Sequence, residues 1–304
     1  MNLSEEFFVD GQPPCKKKKI ASSGKDFVVL MASSTALKTA VEIMSHTLID
    51  ATFAIKQIGE KSEGNVDLRV DAMDNSLVCA CKLKIECSGE VNMTDDDCEF
   101  CIKLKPFLEI LRALPGNEGI RICRKEASSQ IEIKTLGAEC HYYKIQTLED
   151  TCNSNPLDIC ESTYSVDFDL TKLKAHLRVV TNLKSDALKF EIFKVEDHGE
   201  YSGQLVFKLS CKGQDASAEW HFFSPTSESQ VSFLPRELKR APLKTLYSEE
   251  YSTEYLKNFT KSMERSNVIL SFNDNEPKVI VLEYSLGQEN SSINFLLAPK
   301  ISES

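Results

Sequence analysis

The chain has 304 residues, of which 41% are hydrophobic and 27% charged, and its formal net charge is −10. This composition is typical of a globular protein with one large or two ordinary domains. No apolar run reaches the roughly 20 residues that a membrane-spanning helix needs, and residues 1–10 lack the apolar core of a secretory signal. We therefore expect an intracellular protein without a membrane partner, and the negative charge argues against general affinity for nucleic acid.

Eleven cysteines are scattered over strand-like segments of the chain. In a reducing compartment such cysteines serve as small buried apolar side chains, so no disulfide framework is predicted. Cys98 and Cys101 form a Cys-x-x-Cys pair, but no second pair stands at zinc-ligand spacing. No Gly-rich phosphate loop and no Ser/His/Asp arrangement stands out. We predict a protein that is not an enzyme and that holds no metal and no cofactor.

Residues 1–25 are predicted to form a disordered basic extension, because they are rich in Gly, Pro and Ser and poor in apolar residues. The extension contains four consecutive lysines, Lys16 to Lys19, after a Pro-Pro pair. Such a run is typical of a nuclear import signal, and a solvated basic arm is an equally good interpretation.

From residue 26 onward, strand patterns alternate with short helical patterns. Leu37, Val41, Met44 and Leu48 recur at helical spacing and predict a helix over residues 33–50. A second helix is predicted over 106–114, where a Pro-Gly pair would end it. Strands are predicted over 27–31, 66–73, 77–85, 119–124, 130–136 and 139–148.

The second half repeats this order. Helices are predicted over 170–184 and 252–263, and strands over 164–168, 187–195, 204–211, 216–223, 268–272, 279–284 and 293–297. Two helices and about eight strands per half, at a spacing of about 135 residues, indicate an internal duplication of architecture. The polar segment 149–163 is predicted to link domains spanning 26–148 and 164–301, with 302–304 as a tail.

The four predicted helices are together net positive although the chain is net negative. One interpretation is an ordinary solvated face. The other is that all four helices lie on one side of the sheets and present a shared basic surface to the phosphates of duplex DNA, which is a sequence-independent contact. The cations of that surface would be Lys38, Arg112, Lys172, Lys174, Arg178, Lys184, Lys257 and Lys261.

The segment 295–301 reads Phe-Leu-Leu-Ala-Pro-Lys-Ile, an apolar strand that must end at Pro299 because proline lacks an N–H. This segment resembles the C-terminal segment of the proliferating cell nuclear antigen (PCNA) family, the eukaryotic DNA sliding clamps. Further segments, in the same order, resemble the family's Met-Asp strand–turn–strand, the end of its second helix, its fourth helix and its closing strands: 70–78, 110–118, 255–261 and 282–301.

The resemblance implies an α+β fold with two similar DNA-clamp domains per subunit, each with two helices packed on antiparallel sheets. It implies that three subunits close into a ring around double-stranded DNA, that a clamp loader opens the ring, and that a groove docks peptide motifs of DNA polymerase and repair proteins. The groove residues would be Met73, Val78, Leu157, Ile159, Pro277, Leu296, Ala298 and Pro299. Leu296 and Ala80 depart from the residues common in the family, which puts the usual peptide preference in doubt.

The resemblance also implies a subunit contact that pairs strand 139–146 of one copy edge to edge with strand 204–210 of the next. Its residues would be Cys140 and Tyr143 on the first strand and Leu205 and Phe207 on the second. Lys194 falls where family members carry a modified lysine.

We therefore expect a homotrimeric processivity factor for DNA replication and repair, located in the nucleus or at a viral replication site. Three alternatives stay open: a subunit of a heterotrimeric checkpoint-type clamp, a monomeric viral processivity factor, and an enzyme of unknown type.

Overall fold

The computed structural model describes residues 27–31, 33–58, 64–91, 97–115, 118–124, 128–148, 162–224, 232–235, 238, 241–263, 267–274, 278–288 and 290–301. The predicted extension, most of the predicted linker and the tail lie outside these residues. Within the described chain, helices pack against antiparallel sheets in the same element order in each half, so the predicted α+β class is confirmed.

Each half begins with a strand and a helix, continues with a group of strands and a second helix, and closes with three strands. The first half contains β1 (Phe27–Met31), α1 (Thr35–Met44), β2 (Asp50–Gln57), β3 (Asn65–Met73), β4 (Cys79–Val91), β5 (Asp97–Lys103), α2 (Leu104–Ala113), β6 (Ile120–Arg124), β7 (Gln130–Thr135) and β8 (Tyr142–Gln146). The second half contains β9 (Tyr164–Asp169), α3 (Leu170–Asn182), β10 (Ala187–Val195), β11 (Leu205–Lys212), β12 (Ser217–Ser224), β13 (Ser232–Phe233), β14 (Leu243–Ser252), α4 (Thr253–Lys261), β15 (Asn267–Phe272), β16 (Ile280–Ser285) and β17 (Ser292–Leu297).

The first helix is shorter than its apolar spacing predicts. Helix α1 ends at Met44, and β2 already begins at Asp50, inside the predicted helix. Leu48 is buried, but it lies in the connection, where its N–H donates to the Met44 carbonyl oxygen over 2.8 Å. The helical spacing of Leu48 therefore continues past the end of the helix, in a buried residue of the connection. The helix predicted over 33–50 is wrong at its C-terminal end.

Helix α3 begins at a side-chain cap. The Asp169 carboxylate accepts hydrogen bonds from the backbone N–H groups of Thr171, at 2.7 Å, and Lys172, at 3.3 Å. An aspartate at this position satisfies two donors that have no partner within the helix. The cap fixes where the predicted basic helix starts.

The strands form two sheets. A twelve-stranded sheet follows the order β8-β7-β6-β1-β4-β17-β16-β15-β9, with β2, β3 and β5 attached beside β4, and a five-stranded sheet follows the order β13-β12-β11-β10-β14. Strand β4 joins the two halves, because it pairs with β1 and β3 of its own half and with β17 of the other. Glycine is required where β4 passes β1: a Cβ atom at Gly89 would lie 2.3 Å from the Val28 carbonyl oxygen.

Candidate nucleic-acid interface and partner groove

The four helices form one continuous layer. Helix α1 packs against α2, α3 packs against α4, and α1 packs against α4 across the two halves. At the last contact, His46 Nε2 lies 3.0 Å from Ser262 Oγ, and Asn258 Nδ2 donates to the His46 carbonyl oxygen over 3.5 Å. The helices therefore follow the order α2-α1-α4-α3 in one layer. The DNA interpretation of the sequence requires such a layer, because it needs the four helices to lie side by side.

A basic cleft of about 490 Å³ lies between α3 and α4 in this layer. None of the described residues that line it is acidic, and Lys174 Nζ is held at its wall by donating to the Met263 carbonyl oxygen. The cleft is lined by Lys174, Leu177, Arg178, Thr181, Lys257, Asn258, Thr260 and Lys261. The structure thus brings together the four predicted DNA-binding cations of α3 and α4 that stand nearest the α3–α4 contact.

Arg112 is less available than predicted. Its guanidinium donates to Glu42 Oε1 over 2.9 Å and to Glu109 Oε1 over 3.1 Å. Two carboxylates therefore already counter its charge, and they raise its pKa, chiefly through the bond to Glu42. Arg112 should attract phosphates less than an arginine without two carboxylate partners would.

The remaining predicted cations lie outside the lining of the basic cleft. Lys38 on α1 and Lys172 on α3 are half-buried, and Lys184 follows the end of α3 with a φ of 55°. Burial lowers the pKa of His176, and the positive charge of Lys172 lowers it further. The basic surface is thus concentrated between α3 and α4.

Five predicted groove residues meet at one end of β3, β4 and β17. Met73 pairs with Ala80 on β4, and Ala80 pairs with Leu296 on β17. The Ala298 N–H donates to the Val78 carbonyl oxygen over 2.9 Å, which places the turn before β4 beside the segment that follows β17. These five residues are Met73, Val78, Leu296, Ala298 and Pro299.

Leu296 and Ala80 are 6% and 5% exposed, so they offer little surface to a ligand. Leu77, which the sequence analysis did not select, is 65% exposed in the adjoining turn at a φ of 59°. A leucine within the turn sequence Asp-Asn-Ser-Leu was the available signal. The predicted groove residues Leu157, Ile159 and Pro277 lie outside the described residues.

The segment beyond the groove, residues 300–301, is tied to the five-stranded sheet. The Lys300 N–H donates to the Glu250 carbonyl oxygen of β14 over 2.7 Å, and Lys300 Nζ contacts Asp186 Oδ2 at 2.6 Å. Ile301, which follows, is 93% exposed. The segment after Pro299 is therefore positioned by backbone and side-chain bonds, and it ends in an apolar side chain facing solvent.

No family model matches the sequence, and no curated protein matches it by sequence. Solved structures match its fold. They include proliferating cellular nuclear antigen from Entamoeba histolytica (TM-score 0.68, 17% identity, 90% of this chain and 99% of that chain). PCNA from Thermococcus kodakaraensis is also similar (TM-score 0.65, 17% identity, 90% of this chain and 100% of that chain). So is a PCNA2–PCNA3 complex from Sulfolobus tokodaii (TM-score 0.63, 15% identity, 90% of this chain and 99% of that chain).

The chain has the PCNA clamp fold. At 15–17% identity it is a divergent example. The clamp resemblance predicted from the tail and from the strand–turn–strand is therefore confirmed for the fold.

The predicted subunit contact is wrong for one of its two strands. Leu205 and Phe207 lie on β11, which pairs with β10 on one side and β12 on the other, so β11 is not an edge. Phe207 is 1% exposed and belongs to the core. Strands β11 and β12 both look amphipathic in the sequence, which shows where strands lie along the chain and not their order in a sheet.

The open edge of the five-stranded sheet is β12. On the side away from β11, β12 pairs with β13 only at Phe222 and Phe223. Along Ser217–His221, the structure describes no strand paired on that side. At the other predicted edge, β8 ends the twelve-stranded sheet, with Tyr143 half-buried on it and Cys140 exposed just before it.

The part of the chain that the structure describes holds no group of three or more His, Cys, Asp or Glu placed to bind a metal, and no helix long and apolar enough to cross a membrane. Seven of its cysteines are free, and burial raises the pKa of the Cys87 thiol to about 12. Cys101 differs from the expected reduced thiols, because it is disulfide-bonded.

Proposed function

We propose that this chain is a DNA sliding clamp, a processivity factor that encircles duplex DNA and recruits DNA polymerase and repair proteins through their peptide motifs. The observation that carries this proposal is the basic cleft between α3 and α4 on the continuous helix layer. Four cations gather there in a chain of net charge −10. Such a local concentration attracts phosphates regardless of base sequence.

Ring formation is supported by the two open edges. Inside the chain, β4 of the first half pairs with β17 of the second. At the corresponding places, within the residues that the structure describes, β8 ends its sheet and β12 has no strand paired on its outer side over Ser217–His221; sheet edges are normally protected. A head-to-tail contact between β12 of one copy and β8 of the next would build a closed ring. We propose a homotrimer of two-domain subunits (26–148 and 164–301, linked by 149–163), as the PCNA resemblance implies.

A subunit of a heterotrimeric clamp is the second candidate. The solved PCNA2–PCNA3 complex from Sulfolobus tokodaii contains two different PCNA chains with this fold. Such a subunit would not form a closed ring by itself, whereas a homotrimer would.

The groove at the ends of β3, β4 and β17 is the proposed docking place for partner peptides. Leu77, Val78, Ala298 and Pro299 supply partly or largely exposed apolar surface there. Work in the nucleus or at a viral replication site, with a clamp loader that opens the ring, follows from the same proposal.

The double change Lys174→Glu/Arg178→Glu tests the basic cleft. We expect binding of a fluorescent duplex to weaken, and the slope of log K against log salt to fall by about 2, because two phosphate contacts are lost. The matched control is Lys194→Glu/Lys244→Glu, the same change in charge at two exposed lysines that pair across β10 and β14. Equal binding by the cleft variant and the wild type, or an equal loss in the control, would remove the proposal's support.

A further inference from the structure

Helix α4 contacts both surfaces that the proposed function uses. It has nine residues, Thr253–Lys261, and is therefore about 13 Å long. Lys257 and Lys261 of this helix line the basic cleft. Tyr255, nearer its N-terminus, contacts the groove turn, which is the segment 74–78 between β3 and β4. One short, rigid element thus carries side chains of both sites.

Tyr255 holds the groove turn from outside it. Its hydroxyl donates to Asp74 Oδ2 and lies 2.9 Å from Ser76 Oγ. The Asp74 carboxylate in turn accepts from the Val78 N–H, and the Asp74 carbonyl oxygen accepts from the Leu77 N–H over 3.0 Å. The direction of the exposed Leu77 side chain therefore depends on Asp74, and the position of Asp74 depends on α4.

A second contact joins α4 to β17 beside the groove. The Phe259 ring stacks on the Phe295 ring with centroids 4.4 Å apart, and both residues are fully buried. Phe295 directly precedes Leu296, and the chain then continues into Ala298 and Pro299 of the groove. A displacement of α4 would therefore act on the groove turn and on β17 together.

The basic cleft gives a bound phosphate a means of fixing α4. Lys257 and Lys261 on α4 line it together with Lys174 and Arg178 on α3, and none of the described residues that line it is acidic. Cations on the two helices repel each other when no anion lies between them. A phosphate in the cleft attracts all four cations, so it favours the arrangement in which α4 lies against α3. Such a difference in interaction energy is what a shift between two conformations requires.

We propose that α4 couples the two sites, with Tyr255 as a positioning residue for the groove, so that duplex DNA in the basic cleft raises the affinity of the groove for a partner peptide. This inference rests on the proposed clamp function and adds a regulation of its docking site. Thermodynamic linkage then requires that the peptide raise the affinity for DNA by the same factor. A clamp of this kind recruits its partners preferentially when it is on DNA.

Hydrogen exchange measures the state of the groove turn without a partner peptide. The N–H groups of Val78 and Cys79 both donate to the Asp74 carboxylate. We expect a saturating short duplex of mixed sequence to slow their exchange several-fold in the wild type, and Tyr255→Phe to abolish this effect. The matched control, Tyr164→Phe, removes the hydroxyl of another half-buried tyrosine, on β9, and should keep the effect.

Fluorescence anisotropy measures the coupling itself. The labelled peptide carries a partner protein's clamp-binding motif and has no net positive charge, so that it does not bind the duplex. The duplex should lower the dissociation constant of the peptide about fivefold in the wild type and in Tyr164→Phe, and by less than about twofold in Tyr255→Phe. In the reverse titration, the peptide should lower the dissociation constant of the duplex by the same factor.

Failure of the coupling and failure of the clamp function give different results. If the duplex and the peptide both bind the wild type but neither alters the affinity for the other, the coupling is wrong and the clamp function stands. An equal factor in the wild type and in Tyr255→Phe, or an equal loss in Tyr164→Phe, would overturn the role of Tyr255. If the wild type binds neither the duplex nor the peptide, the coupling and the proposed function are both wrong.

Discussion

Asp74 ties the groove turn of the first half to helix α4 of the second. Its carboxylate accepts from the N–H groups of Val78 and Cys79 at 2.9 and 2.8 Å, and from the hydroxyls of Ser76 and Tyr255. Burial by itself would raise its pKa, but these four hydrogen bonds outweigh burial and hold the pKa below its ordinary value of 3.8. The charged form is therefore favoured in the folded protein.

The change Asp74→Asn should lower the free energy of unfolding at pH 7 by about 1–3 kcal/mol. The reason is that the buried carboxylate, which accepts four hydrogen bonds, is replaced by an uncharged amide. A folded-state pKa that is depressed gives stability that is present above the unfolded-state value and is lost as the pH falls through the folded-state value. The difference between wild type and variant should therefore shrink below about pH 4. Urea unfolding at both pH values measures it, with Tyr255→Phe as the milder control. An equal difference at both pH values would show that charge is not the cause.

Leu77 is an exposed apolar side chain on a left-handed backbone. The change Leu77→Asn should leave stability nearly unchanged, because asparagine tolerates this conformation. It should weaken docking of a peptide that carries a partner protein's clamp-binding motif about tenfold, since a leucine contact is lost. Fluorescence anisotropy with the labelled peptide measures this. Leu136→Asn, at another exposed leucine after β7, is the control, and equal weakening by the two variants would place the peptide elsewhere.

The sequence predicted the positions of functional candidates in helices and strands better than it predicted whether a ligand could reach their side chains. Spacing and resemblance placed Arg112 on a helix and Leu296 in the groove; the structure has Arg112 on α2 and Leu296 on β17 opposite Ala80. The carboxylate of Glu42 on another helix occupies Arg112, and the sheet buries Leu296. Both effects come from partners distant in the chain, which a local pattern does not contain.

Strand β17 links the halves at the scale of elements. It pairs with β4 and β16, and Phe295 stacks on Phe259 of α4 with ring centroids 4.4 Å apart. We expect Phe295→Ala to cost about 3–5 kcal/mol, because a fully buried ring leaves a cavity under α4. Ile301→Ala, at a 93% exposed residue four positions after β17 ends, should change stability by less than about 0.5 kcal/mol.

Urea unfolding of Phe295→Ala also reports on cooperativity. Because β17 and β4 pair across the halves, a single transition should move as a whole to lower urea. Two separate transitions, with only one displaced, would show that the halves unfold independently.

Element order was predictable, but sheet order was not. Hydrophobic periodicity indicated a repeated set of helices and strands, and the structure has that order. Periodicity missed β2, β5, β13 and β14, and it could not tell the interior strand β11 from β12, which is open over Ser217–His221. That distinction depends on hydrogen bonds between distant segments, so the predicted contact at Leu205 and Phe207 fell one strand away from the edge.

In the described part of the chain, the molecule combines a layer of four helices carrying a basic cleft with two strands open to further pairing, β8 and the Ser217–His221 part of β12. The net charge of −10 lies mainly away from that cleft, which would let DNA be held loosely on one surface and repelled elsewhere. Closure of the edges between copies would then provide retention by topology, and tight contact with DNA would not be needed.

Retention on closed and open DNA tests this account most directly. Dilute subunits are reassembled in the presence of nicked circular duplex, and the DNA is then separated by gel filtration at high salt, where contacts to phosphate are weak. We predict that the protein stays with the circle and is released when a restriction enzyme makes the circle linear. Equal retention on circular and linear DNA would contradict encirclement and would show binding by surface contact alone.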